Sequence, residues 1–592
     1  MTSWRTIATK KKAEQLALIP KEWTLKLDDI TQQVEVDVSS VPDTCGLLNA
    51  KEIQITNSDL ADLLEKLAAG EWSSVSVTTA FYKRAIIAHQ LTNCLTEIFI
   101  ERALARAAGL DDHLQKTGTV VGPLHGLPVS LKDQINIKGL ESCMGYVSWV
   151  GIFADKNSVL TDILENAGAV IFVKTNIPQT LMWAETFNHV FGRTSNPFNR
   201  SLTSGGSSGG EGALVGELLT TCFTNSDVDV LKHETAMRGS PLGVGSDIGG
   251  SIRIPAAFCG TYGLRPSYGR VPYAGCVNSL EGQDSAPSVL GPLSNSIAGI
   301  KTFMKTVIDA RPWLKDPLAV RKRWSDDEYN LADHGNGQNL CFAIMWDDGM
   351  IVPHPPIIRG LEIVKKALLD AGHKVIDWKP SKHAEMYKCL GDIWTAGAAE
   401  DFSVVTAMTG EPVIASMIPD DEIPVVDIVD KHQIVDALAP GISAYRLWQT
   451  HKKKRMLREE YLQLWEDTAG MTGTGRAVDA IISPAAPYTA VRHGQNKSAQ
   501  YTMVWNVLDY STLVIPVSRV DPTIDIVKAP HEFYNEEDKA NYNIYNPANF
   551  ANAPISVQLV GRTLEEEAVI AMGEIVDKAL KRAQVIETQR NI

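Results

Sequence analysis

Three side chains in this sequence have the types and surroundings for nucleophilic chemistry: Lys132, Ser207 and Ser251. The two serines stand in the two halves of a Gly/Ser-rich run over residues 205–257, which opens GGSSGGEG and closes GVGSDIGGSIRIPAA. Glycines cluster where the backbone turns tightly, takes positive φ or approaches a ligand closely, and a serine hydroxyl can be a nucleophile, a proton carrier or only a turn former. Gly/Ser tracts are most often flexible linkers. A linker, however, has no use for Asp247, Ile248, Ile252, Arg253, Ile254 and Pro255 crowded around Gly249-Gly250-Ser251, whereas a buried polar site does. Backbone N–H groups of Ile248, Gly249, Gly250 and Ser251 could form an anion-binding nest aimed at developing negative charge. Lys132 lies behind the turn-forming PLHGLP, in Val129-Ser130-Leu131-Lys132-Asp133, a short strand pattern. Most lysines are solvated, but one held in a dry site has a lowered pKa and can serve as a base.

These residues need a frame of strands and crossover helices. A helix after Ser158, a strand over 169–173 and then Thr175-Asn176-Ile177-Pro178 give the βα rhythm of a covered sheet. The segment GAVIFVKT resembles a phosphate loop superficially but lacks the glycine before its lysine, which argues against nucleotide binding. Helical patterns near 297–309, 355–371 and 450–468 alternate with apolar strands at 340–345, 480–482, 513–517 and 555–560. Upstream, Leu60, Leu63, Leu64 and Leu67 recur at helical spacing between an N-cap at Ser58 and a stop at Gly70, with a second helical pattern from Phe81 to His89. Thr563 and Glu566 form a capping-box pattern for a last helix presenting Leu564, Ala568, Ala571, Met572, Ile575 and Ala579 to a core. Residues 1–50, helical to Leu18 and then extended through Val34, Val36 and Val38, read as a docking arm, and 51–592 as one catalytic domain. Residues 400–450, with Pro412, Pro419, Pro424 and Pro440, read as a wandering segment over the substrate.

Over 592 residues, 44% apolar and 21% charged side chains are those of a globular chain with a sizeable core. A net charge of −14 disfavours nucleic acid and anionic membrane as main partners and favours a small ligand or another protein. Cysteines at 45, 94, 143, 222, 259, 276, 341 and 389 make no CxxC pair, the N-terminus has no apolar signal core, and no run of 18 apolar residues occurs. The expectation is a reduced, soluble, cytoplasmic protein without a membrane span. No His/Cys/Asp cluster has metal-ligand spacing.

Lys132, Ser207 and Ser251, in that order, within GLPVSLKD, GGSSGGEGA and GSDIGGSIRIPA, resemble the amidase signature family. Further stretches, among them KTNIPQTLMWAET, GLRPSYGR, DAIISPAAP, AVRHGQ and APISVQLVGR, resemble its fungal general amidases, the acetamidases, from about Trp4 to Ala579. The resemblance implies Ser251 as nucleophile, Ser207 as a bridging serine preceded by a cis peptide, Lys132 as base, and an oxyanion hole from the N–H groups of Ile248, Gly249, Gly250 and Ser251. It implies an α/β fold with a mixed sheet of about eleven strands covered by helices on both faces. It also implies hydrolysis of a small, acetamide-like amide to acid and ammonia through an acyl-enzyme, without metal or cofactor, in a protein compatible with a homodimer. A fatty-acid or aryl amide hydrolase of the same family is the alternative, as is an inactive or binding relative; an amidotransferase-type subunit is disfavoured by the charge.

Gly205-Gly206-Ser207-Ser208-Gly209 also satisfies G-x-S-x-G, the nucleophile elbow of α/β-hydrolases, but an elbow follows a strand directly and Asn196-Pro197-Phe198-Asn199-Arg200 reads as loop. Ser207 and Ser251 are 44 positions apart, some twenty more than the family's spacing, and the surplus fits residues 217–236, ELLTTCFTNSDVDVLKHETA, as an insertion.

Overall fold

A computed structural model describes residues 3–26, 36–216, 218–219, 233–234, 237–418 and 440–590. Eleven strands form one sheet: β1 (Leu95–Ile98), β2 (Pro128–Lys132), β3 (Val170–Thr175), β4 (Leu242–Asp247), β5 (Tyr262–Arg265), β6 (Val289–Ser294), β7 (Cys341–Ile344), β8 (Lys374–Asp377), β9 (Ala480–Pro484), β10 (Thr512–Arg519) and β11 (Pro554–Val560). Their order is β1-β3-β2-β4-β6-β5-β10-β11-β9-β7-β8. The sheet is mixed: β3, β2 and β4 run parallel, as do β9, β7 and β8, and the pairs between these blocks are antiparallel. This is the α/β architecture that the sequence resemblance implies.

The parallel strands β2, β3 and β4 are buried along their whole length, as parallel strands covered on both faces are. Every residue of Val170–Thr175 is buried, and burying a side chain such as Phe172 stabilises by roughly 1.5–3 kcal/mol. One core cluster contains Leu60, Leu63, Leu67, Val129, Leu131 and Phe172. A second contains Trp394, Trp465 and Trp505. Helix Trp4–Ala17 lies over the sheet edge, where Gln15 Nε2 donates to the carbonyls of Leu95 and Thr96 at 2.7 and 2.9 Å and occupies acceptors that an edge strand would leave open.

Two expected helix starts differ. Helix Leu60–Ala68 takes Asp59 as its N-cap residue, while Ser58 Oγ donates to the Gln54 carbonyl at 2.8 Å. The last helix, Glu566–Arg590, has no capping box from Thr563: Leu564 lies at φ 66°, and Glu566 is buried and pairs with Arg270 Nε at 2.8 Å and Ser511 Oγ at 2.5 Å. The buried arginine outcompetes the local cap because an unpaired internal guanidinium is costly. The wandering stretch contains helix Ala398–Thr406 and the beginning of helix Ala444–Glu466; residues 419–439 lie outside the described residues. Most of 217–236 also lies outside them, apart from a short antiparallel pairing of Leu218–Leu219 with His233–Glu234.

Candidate active site

Lys132 ends β2 and Ser246-Asp247 end β4, the parallel neighbour, so two strand termini deliver chemistry to one side of the sheet. Open α/β sheets place ligand sites outside such carboxyl ends. The loop after Asp247 carries Ile248, Gly249, Gly250 and Ser251, and helix Arg253–Phe258 follows. Ser207 stands just before helix Gly209–Val215, after a Gly206-Ser207 peptide bond that is cis. Only glycine fits at 206, where a Cβ would come within 2.6 Å of the Glu185 backbone nitrogen.

Two of the three expected catalytic side chains, Lys132 and Ser207, are in direct contact, and a backbone bond holds the loop of the third, Ser251, beside them. Lys132 is fully buried, and its Nζ lies 2.7 Å from Ser207 Oγ and 2.7 Å from Ser246 Oγ. Ser208 N donates to the Ser251 carbonyl at 3.1 Å and ties the two serine loops together. Gly206 and Ser251 line one small cavity of about 20 Å³ together with Leu181, Met182, Trp183, Ile254, Trp394 and Ala499. Ser251 is 8% exposed.

Burial lowers the Lys132 pKa to about 7, against the opposing pull of Asp247, Glu211 and Asp133. Burial also raises Glu211 to about 8, despite hydrogen bonds from Ser130 and Thr175.

Asp247 organises the loop. Its carboxylate accepts from Gly250 N at 2.9 Å, Ile252 N at 3.1 Å, Asn506 Nδ2 at 2.9 Å and, in a fork, from Arg253 Nε and a terminal Arg253 nitrogen at 3.0 and 2.9 Å. Burial alone would raise this carboxyl; the guanidinium overcomes it and holds the pKa well below the usual range. Thr502 Oγ1 donates to the Gly249 carbonyl at 2.6 Å. Gly250 has φ 137°, and a Cβ there would stand 2.8 Å from that of Thr502. Among the described residues, the N–H groups of Ile248, Gly249 and Ser251 have no hydrogen-bond partner, whereas that of Gly250 is directed at Asp247. The loop thus presents unpaired donors beside the Ser251 hydroxyl, an arrangement suited to a developing oxyanion.

The elbow reading finds no support in this geometry. No strand immediately precedes Ser207, its hydroxyl partner is an amine, and His493 Nε2 lies 3.1 Å from the Arg200 carbonyl. Asp247 and Arg253 stand out in the sequence as charges inside an apolar motif. Ser246 lies inside GSDIGGSIRIPA and Gln134 directly after GLPVSLKD, but neither carries a spacing signal, and Trp394, Thr502 and Asn506 arrive from distant helices.

The chain matches the Amidase family over residues 76–229 and 234–570. It is 41% identical over 579 residues to an acetamidase of Aspergillus oryzae, covering 98% of this chain and 99% of the relative. It is likewise 41% identical over 582 residues to an acetamidase of Emericella nidulans, covering 98% of each. Among solved structures, a fatty acid amide hydrolase superposes with a TM-score of 0.85 at 32% identity, over 98% of this chain and 95% of the other. A strand-end lysine, two serine loops on a mixed sheet of eleven strands and these likenesses over nearly the whole length lead to one assignment: the chain belongs to the amidase signature family and is an amidase.

Proposed function

We propose that this amidase hydrolyses small neutral carboxylic amides of the acetamide type to acid and ammonia through an acyl-enzyme on Ser251. The observation that carries the mechanism is the 2.7 Å contact between Ser207 Oγ and the buried Nζ of Lys132. A serine hydroxyl is a poor nucleophile until a neighbour accepts its proton, and an amine departs poorly unless it receives one. As Ser251 Oγ bonds to the amide carbon, its proton passes to Ser207, whose own proton passes to Lys132. The carbonyl oxygen takes the negative charge against the N–H groups of Ile248, Gly249 and Ser251, while the Gly250 N–H stays on the Asp247 carboxylate. When the C–N bond breaks, Lys132 returns its proton through Ser207 to the leaving nitrogen. Water then attacks the ester through the same relay, releasing acid and restoring Ser251.

The cavity beside Ser251 is small and walled by Met182, Trp183, Ile254 and Trp394, which favours a short acyl group. The likeness to a fatty acid amide hydrolase keeps long-chain amides as the competing substrate class. Ammonia release from acetamide, propionamide, benzamide and a long-chain amide, without any partner protein, tests the reading. Acetamide turnover that Ser251→Ala abolishes is expected, with the Lys132→Ala/Ser207→Ala double variant little slower than the worse single variant. Turnover of long-chain amides alone would remove the substrate class, and losses that multiply would remove the relay.

A further inference from the structure

Lys132 has a second hydroxyl partner, and the direction of that hydrogen bond is set from outside the triad. Gln134, fully buried, lies beyond Ser246. Ser246 Oγ donates to Gln134 Oε1 at 2.5 Å, and Gln134 Nε2 donates to the Val277 carbonyl at 3.0 Å and to Tyr273 Oη at 2.7 Å. Val277 N returns a bond to the Gln134 carbonyl at 2.9 Å, which clamps this residue on the loop that carries Val277.

A backbone carbonyl only accepts, so the amide group facing Val277 must be the NH₂. The Gln134 oxygen then necessarily faces Ser246, and a carboxamide oxygen only accepts, so the single Ser246 hydroxyl proton is committed to it. Toward Lys132, Ser246 can offer nothing but lone pairs. A neutral amine has two N–H groups and one lone pair, and it can act as a base only where the lone pair points. With Ser246 barred from donating, the lone pair is unused on that side and free for Ser207.

We propose that Gln134 is a positioning residue that sets the direction of proton transfer, locking Ser246 as an acceptor so that the Lys132 lone pair is kept for Ser207. The lock serves both protonation states, because an ammonium also donates to Ser246 and no hydroxyl has to turn between proton uptake and return. The inference rests on the assignment of Lys132 as base. The other charged groups around Lys132 are Asp247, Glu211 and Asp133, and none of them touches Ser246 Oγ.

Purified full-length variants, assayed for kcat, KM and pH dependence with the preferred amide, test this. Gln134→Met frees the Ser246 hydroxyl to donate to Lys132, and should lower the plateau kcat roughly 10- to 100-fold with KM within about twofold, a fraction of what a general base contributes. Gln134→Glu, whose protonated carboxyl can donate to the Val277 carbonyl, still accepts from Ser246 and should recover most of the plateau rate. Gln134→Met/Ser246→Ala should be no slower than Ser246→Ala alone, because Gln134 acts only through that hydroxyl. A Gln134→Glu plateau as low as that of Gln134→Met, or tenfold or more below the parent should Gln134→Met not fold, would overturn the proposal. So would losses that multiply in the double variant. Lys132→Ala separates the two levels: if it retains turnover the base assignment falls, and if it is inactive while the Gln134 outcomes fail, only the positioning role falls.

Discussion

A lysine with an ordinary pKa of about 10.4 is almost wholly charged at neutral pH and useless as a base. Lys132 escapes this because its Nζ is packed away from water, with hydroxyls as its hydrogen-bond partners and no carboxylate in direct contact. With its pKa near 7, kcat/KM should climb as pH rises through about 7 and level off above it. A flat profile between mild acid and neutrality would exclude Lys132 as the base. The same shift bears on stability. The folded pKa lies below the unfolded value of 10.5, so between about 7 and 10.5 the unfolded chain holds a proton that the folded chain has released. The cost of burying this amine is absent above that window, grows as pH falls through it and is fully present below it. Lys132→Met should therefore be inactive yet melt no lower than the parent at pH 6–7 in a calorimetric scan; a clearly lower Tm would mean that the lysine holds the fold together.

At the scale of elements, the loop from Asp247 to Ser251 is shaped by an ion pair buried on both sides, Asp247 with Arg253, and steadied by helix Gln500–Leu508 through Thr502 and Asn506. Breaking a buried pair by removing one charge typically costs about 3–5 kcal/mol, because the remaining charge is uncompensated. Asp247→Asn should lower Tm by several degrees and kcat by at least tenfold; an unchanged kcat in the folded variant would show that the loop does not depend on the carboxylate. A second element-level prediction concerns residues 217–236. The described chain on either side is already joined: Gly239 N donates to the Leu214 carbonyl at 2.8 Å and Arg238 N to that of Gly216 at 3.5 Å. Residues 217–236 thus leave and re-enter the fold at one point, and loop length adds little closure cost. Deleting them should preserve or raise the yield of soluble, active enzyme. A shortened protein that folds but is inactive, beside a full-length chain that turns over amide, would make the segment a working part.

The small cavity beside Ser251 exists only at the scale of the whole molecule. Its wall draws Trp183 from a loop after β3, Ile254 from the helix that follows Ser251, Trp394 from helix His383–Thr395 and Ala499 from just before another helix. Trp394 is 1% exposed, and its indole edge closes on Gly249. Truncating that ring enlarges the cavity that Ser251 lines. One methylene in an apolar pocket is worth about 10- to 200-fold in discrimination. Trp394→Ala should therefore raise the hexanamide-to-acetamide ratio of kcat/KM by at least tenfold, and an unchanged ratio would place the acyl group elsewhere.

By itself the sequence determined what depends on neighbours along the chain: the serine loops, the strand ending in Lys132, the Asp247-to-Ser251 nest with Arg253 close by, and the alternation of strands and helices that makes an α/β sheet. Local spacing carries this information because turns, caps and amphipathic periods are properties of short segments. Tertiary structure alone decided what depends on two distant segments meeting. Glu566 reads as half of a capping box until Arg270 takes its carboxylate. Gln134 has no visible partner until the loop carrying Val277 folds onto it and a single backbone carbonyl orients its amide. Trp394 reads as an ordinary core residue until its helix brings the ring against the loop that ends in Ser251. Hydrogen-bond direction and cavity size are set by which atoms are brought into contact, and the chain does not record those contacts as spacing.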